Sequence, residues 1–177
     1  MRNSNKTMQK LILASMFAAL SCVATMVIQI PAPTGYVNLG DAFVILAGFC
    51  LGPAYGFAAG GLGPALADLL LGYTMYAPGT FLVKGLVAVI ASLLLKVYYK
   101  LGKEPSVSRL LVCTIPAEVF MALGYFAYET VILKVGAGAA AAIPANLMQG
   151  LVGVIVSVVL FRLLYKVPAL RERFWKG

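Results

Sequence analysis

Residues 11–30 read LILASMFAALSCVATMVIQI, about twenty residues without a charge, the length a helix needs to cross the hydrocarbon core of a bilayer. Arg2, Lys6 and Lys10 stand just before this run, and Pro31-Ala-Pro33-Thr-Gly35 ends it. A secretory signal has a shorter apolar segment, about 7–15 residues. Ala19-Leu-Ser-Cys22 is a loose version of a lipoprotein cleavage site, with alanine where leucine is usual. The run is therefore expected to remain in the protein as a helix.

The rest of the chain has the same character. Of its 177 residues, 62% are hydrophobic and 11% charged, against about 25% charged in an ordinary soluble domain. One core of this size could not hide so much apolar surface, whereas lipid can. The net charge of +8 would suit nucleic acid, but its placement argues otherwise. Twelve of the 14 Lys and Arg fall in three clusters, Arg2 to Lys10, Lys96 to Arg109 and Arg162 to Lys176, leaving Lys84 and Lys134 alone. Basic clusters flanking apolar runs mark cytoplasmic loops. A nucleic-acid surface would interleave them with polar and aromatic residues, so no nucleic-acid partner is expected. Cys22, Cys50 and Cys113 lie inside apolar runs and histidine is absent, which leaves neither a zinc pattern nor a disulfide framework. No metal or cofactor is expected in this chain.

Apolar runs between turn signals divide the chain into six segments, at about residues 11–30, 39–51, 54–72, 80–99, 108–133 and 140–165. Gly52-Pro53 separates the second from the third, and the second is short for a full crossing. Placing all three basic clusters in the cytoplasm requires an even number of crossings before each. Six crossings do this. The expectation is one domain over residues 1–177: an all-α integral membrane protein of six transmembrane helices, with both termini cytoplasmic.

Gly48, Gly52, Gly56 and Gly60 recur every fourth residue, followed by Gly61 and Gly63. In lipid such spacing lets helix backbones approach, because van der Waals contact holds membrane helices together. No Gly-Lys-Ser/Thr follows, so this is not a phosphate loop and the chain cannot power transport alone. Ala14 and Ala18 form a small-xxx-small pair on the first helix, either an internal packing face or a docking face for a partner.

A charge inside a bilayer is costly and is first read as functional. Asp41, Asp68, Lys84 and Glu129 fall in the outer half of the expected topology, with Glu118 deeper. Asn38, Asn146 and Gln149 share that outer half, as do Tyr36, Tyr73, Tyr76, Tyr125 and Tyr128. The cytoplasmic half has almost nothing comparable. The pattern describes a pocket open to the outside, with rings to stack on a flat heterocycle and polar groups to orient it. Tyr36, Asn38, Lys84, Tyr125, Glu129, Asn146 and Gln149 are the candidate ligand contacts. Asp41, Asp68 and Glu118 are either ligand contacts or braces between helix ends.

Tyr36-Val-Asn-Leu-Gly-Asp41, Leu51-Gly-Pro53, Gly56, Ala67-Asp68, Gly72-Tyr73 and Tyr76-Ala-Pro-Gly-Thr-Phe81 with Lys84-Gly85 resemble the substrate-binding S components of energy-coupling factor (ECF) vitamin transporters. The closest likeness is to the riboflavin-type group that includes proposed pyridoxine and hydroxymethylpyrimidine carriers. The resemblance implies capture of a vitamin from outside, with the loop from Pro31 to Asn38 closing over it. It implies a membrane coupling (T) subunit and two ABC-type ATPases as partners, ATP being used by them, and toppling of the loaded subunit in a bacterial cell membrane. It also implies that Ala14 and Ala18 are the docking motif. Pyridoxine is the first candidate ligand and hydroxymethylpyrimidine the second. Two other classes compete: a small intramembrane lipid-modifying enzyme using Asp41, Asp68 and Glu118, and a structural scaffold, for which a polar pocket would be needless.

Overall fold

Gly52 decides how the middle of the chain folds. The structure, a computed structural model, describes the backbone of residues 2–175 and the side chains of residues 7–172 and 174. The side chains of Arg2, Lys6, Arg173 and Lys176, which the charge reading used, lie outside the described residues. Helix α1 spans Arg2–Val27, and a hairpin of β1 (Ile30–Ala32) and β2 (Gly35–Val37) follows it. Then come α2 (Gly40–Leu51), α3 (Pro53–Leu70), α4 (Ala77–Lys100), α5 (Val107–Val131), α6 (Ala137–Lys166) and the short α7 (Pro168–Trp175). Gly52 has φ +82°, a left-handed conformation that glycine adopts without strain. Its N–H closes α2 on the Gly48 carbonyl at 3.1 Å, and Pro53 starts α3 without needing a donor.

The turn folds α3 back along α2. Gly56 lies against Gly48, where an added Cβ would sit 2.8 Å from the Gly48 Cα. On its other side Gly48 meets α4, where a Cβ would come within 2.2 Å of the Ala88 carbonyl oxygen. Of the four glycines in the series, three therefore serve close packing, and Gly52 serves the turn.

Every residue of α2 except Phe43 is buried, because α1, α3, α4 and α6 surround it. A central helix touches no lipid and can be short: α2 has 12 residues. Thr7–Val27, Ala77–Lys100, Val107–Val131 and Ala137–Lys166 are long and apolar enough to cross a membrane. Their outward faces are apolar. On α6, Leu147, Leu151, Ile155, Val159 and Leu163 recur every fourth residue and are exposed, a stripe that lipid covers. Ala14 faces the opposite way: it is buried, and the carbonyl of Ala18 lies against Gly63 of α3.

The all-α expectation gains one β element. The chain leaves α1 at Val27, before the apolar run ends, since Pro31 and Pro33 cannot supply helical donors. Ile30, Pro31 and Ala32 pair antiparallel with Val37, Tyr36 and Gly35. This hairpin covers one end of the bundle. Lys84 and Lys134 apart, the described basic residues gather at the other. Lys10 lies over the Tyr55 ring, Arg162 donates to the Pro105 carbonyl at 3.2 Å, and Arg171 pairs with Glu104 at 2.7 Å.

One ion pair joins the helices at depth. Lys84 of α4 and Asp41 of α2 are 2% and 0% exposed and are bonded to one another. Gln149 of α6 donates to the second Asp41 oxygen at 2.7 Å, and Met121 of α5 lies 3.2 Å from the ammonium. Four helices thus meet on two opposite charges that satisfy each other away from water.

Two expectations follow. Gly48→Ala lowers stability by about 1–3 kcal/mol through overpacking against Ala88, seen as a lower melting temperature in detergent. Leu62→Ala on the exposed side of α3 shifts it by no more than about 0.5 kcal/mol. Lys84→Met costs about 3–5 kcal/mol by stranding the Asp41 carboxylate, and adding Asp41→Asn recovers most of the loss. A double variant no more stable than the single one would show that the pair does not brace the bundle.

Candidate functional site

Beneath the hairpin lies a partly open pocket lined by polar and aromatic side chains. Its floor is built from the ion pair upward. Gln149, held by Asp41, accepts from the Asn38 backbone N–H at 2.9 Å and from its Nδ2 at 3.3 Å. Asn38 in turn accepts from the Gly40 N–H at 2.9 Å, satisfying one of the free donors at the start of α2. Asn38 and Gln149 therefore line the pocket with most of their bonding capacity already used. Asn146, one helical turn before Gln149, lines it with no hydrogen bond from its side chain among the described residues.

Two carboxylates hold the cover down. Tyr36 of β2 donates its hydroxyl to Asp68 of α3 at 2.7 Å, and Thr34 of the hairpin turn donates to Glu129 of α5 at 2.7 Å. Tyr76 donates to the same Glu129 oxygen at 3.3 Å. Burial, then the bond to Asp68, holds the Tyr36 phenol well above its ordinary value. Burial and the Glu129 charge push Tyr76 up to about 12. Both are therefore protonated donors throughout the physiological range.

The walls are aromatic. The Tyr36 and Tyr73 rings lie 4.9 Å apart between centroids and Tyr73 and Tyr76 lie 6.3 Å apart. Tyr125 closes the inner side, donating to Thr80 at 3.1 Å, with the Lys84 ammonium 5.4 Å from its ring on the far side. The ring faces and edges can pack against a flat heterocycle while the polar groups bond to its edges.

Of the candidates read from the sequence, Tyr36, Asn38, Tyr125, Glu129, Asn146 and Gln149 line the pocket, and Asp68 joins them. Lys84 and Asp41 do not: they form the layer beneath, so Lys84 acts on the pocket through Tyr125 and Gln149. Glu118 lies deeper still, beside Gly150 and Gly153 of α6, with no hydrogen-bond partner for either oxygen among the described residues. The three carboxyls of the enzyme alternative thus do not converge on one accessible point.

Thr34 and Thr80 were not among the candidate contacts, although Thr34 lies in the Pro31-to-Gly35 turn and Thr80 in the Tyr76-to-Phe81 motif. Thr80 could have been found as the residue one turn above Lys84 on the same helix face. Tyr73 and Tyr76 were visible as members of the outer aromatic group and of the motif run from Tyr36 to Gly85. Ala14 and Ala18, the pair expected to dock a partner, lie on the side of α1 that packs on α3. Ala14 is buried and Ala18 half-buried against α3, while Ser15 and Ala19 occupy the exposed side of the helix.

Comparison with known proteins bears on the family and the fold. The family model described as ECF-type riboflavin transporter, S component, matches residues 5–166. An uncharacterised protein encoded in the gap 3' region of Pyrococcus woesei is 35% identical over 136 residues, covering 76% of this chain and 86% of that protein. A solved S component of a bacterial ECF transporter superposes with a TM-score of 0.66 at 24% identity, covering 90% of this chain and 97% of that one. At that identity the likeness is one of fold. The chain is a multi-pass membrane protein that belongs to the ECF-type riboflavin transporter S-component family, a family of substrate-capturing transporter subunits and not of enzymes.

Proposed function

We propose that this chain is the high-affinity capture subunit of an ECF-type importer and binds a small B vitamin or vitamin precursor in the pocket under the hairpin. The observation that carries this reading is the latch: one cover segment bonded to Asp68 and Glu129 across an aromatic, polar cavity. The pocket's tyrosine rings and polar groups suit a small flat heterocycle, with pyridoxine the first candidate and hydroxymethylpyrimidine the second. The chain forms a single domain over residues 1–177. It crosses a bacterial cell membrane six times with both termini cytoplasmic, so the hairpin faces outward.

Delivery then depends on partners. A T subunit and two ABC-type ATPases supply the ATP chemistry, and this chain carries no cofactor of its own. Docking through α1 uses its exposed side, where Ser15 and Ala19 let a partner helix approach. Bulk at Ala14 instead strikes the interior of the subunit.

Mass spectrometry of the chain purified from membranes is expected to find a heterocycle of vitamin size at near one-to-one ratio. Asn146→Ala and Tyr73→Ala weaken its binding by about 1–3 kcal/mol in titration calorimetry, the usual cost of losing a buried partner. Unchanged affinity in both would place the ligand elsewhere. Ala19→Trp retains binding and abolishes uptake in cells, whereas Ala14→Trp lowers the melting temperature. Normal uptake by Ala19→Trp would exclude α1 as the docking helix.

A further inference from the structure

Two carboxyl groups and no cationic side chain line the pocket. Asp68 and Glu129 both line it and are 5% and 1% exposed. Each accepts hydroxyl bonds on one oxygen, from Tyr36 in the first case and from Thr34 and Tyr76 in the second. The second oxygen of each, Asp68 Oδ2 and Glu129 Oε2, is buried and has no hydrogen-bond partner among the described residues. No lysine or arginine is in the lining. Lys84, the cation of this region, is bonded to Asp41, a layer below. Lys134 belongs to the turn after α5 and is also outside the lining.

Two buried carboxylates in a membrane protein without a cation beside them are costly, and the cost falls when a positive charge arrives between them. The other groups in the lining suit the same visitor. Tyr36, Tyr73 and Tyr76 form a run of ring faces and edges, and the face of an aromatic ring attracts cations. The unused carboxylate oxygens supply acceptors, and a protonated amine supplies donors only.

We infer that the ligand is a positively charged heterocycle, either a ring bearing a protonated amine or a ring with a fixed cationic nitrogen. It is held between Asp68 and Glu129 and stacked among the hairpin-side tyrosines. This rests on the capture reading and refines it: among single-ring vitamins, an ammonium-bearing one is preferred over its hydroxyl counterpart pyridoxine. The ligand also completes the latch, because Asp68 and Glu129 are the two groups to which the hairpin is bonded. A cation beside them strengthens closure by offsetting the cost of burying the carboxylates.

The test compares four probes on the full-length chain in detergent at neutral pH, by titration calorimetry. Pyridoxamine and thiamine carry a net positive charge, whereas pyridoxine and riboflavin carry none, the ring proton of pyridoxine being offset by its phenolate. Any co-purified molecule is identified by mass spectrometry and its charge assigned. The expected result is a cation bound at least about tenfold more tightly than the uncharged probes, the margin between charge-assisted and neutral hydrogen bonds. Asp68→Asn and Glu129→Gln, which keep the shape but remove the charge and one acceptor oxygen, should each shrink that ratio several-fold. A neutral probe or neutral co-purified molecule bound as tightly as the cations, and displaced by Tyr73→Ala, would overturn the charge assignment and leave capture standing. A preference for cations unchanged in both carboxylate variants would also overturn it. A chain that carries no small molecule and binds none of the four would remove the capture reading with it.

Discussion

The structure depends on two opposite charges satisfying each other where water cannot. Asp41 and Lys84 sit in the centre of an apolar bundle, and neither could remain charged there alone. Their pairing fixes α2 against α4. Gln149, bonded to Asp41, fixes α6 to both. From Gln149 the same chain of hydrogen bonds runs to Asn38 and to the first turn of α2. The pocket floor is thus the upper surface of the network that organises the bundle. A ligand resting there touches amides whose positions are set by an ion pair it never meets.

Above the floor, the energetics change character. The hairpin has only three residues in each strand and is too small to hold its position by its own ladder. Its place is set by two hydroxyl-to-carboxylate bonds at separate points, Tyr36 to Asp68 and Thr34 to Glu129. Each such bond contributes about 1.5–3 kcal/mol at most, because its acceptor is charged. That is enough to bias a short segment toward the closed position and little enough to be reversed. A deep network that resists change beneath a shallow latch that does not is the division of labour a capture protein needs.

Glycine spacing shows how far sequence reasoning reaches and where it stops. The recurrence of Gly48, Gly52, Gly56 and Gly60 marks close backbone approach in lipid. It does not say that one of the four turns the chain and the others pack it. Only the backbone angle at Gly52 and the neighbours of Gly48 and Gly56 separate the roles. The small pair on α1 is similar. Ala14 and Ala18 and the overlapping Ser15 and Ala19 have the same spacing, one residue out of phase. Which pair faces a partner depends on the rotation of α1, and contact with α3 at Gly63 sets that rotation.

The sequence by itself determined the solvent, the family and the end of the bundle where ligand chemistry gathers. Each of these is written in local features: apolar length, clustered basic residues, and a run of motif residues between Tyr36 and Gly85. It also named most of the pocket lining, because polar and aromatic residues are rare enough in this chain to stand out. Tertiary structure alone decided which of them turn toward the cavity. Lys84 and Glu129 are equally conspicuous as charges, yet one is neutralised by Asp41 below the pocket and the other keeps an oxygen without a partner at its wall. Thr34 and Thr80 became pocket residues through contacts across 95 and 45 positions of sequence. No local pattern encodes such pairings, because they arise from how six packed helices and one hairpin exclude each other's volume.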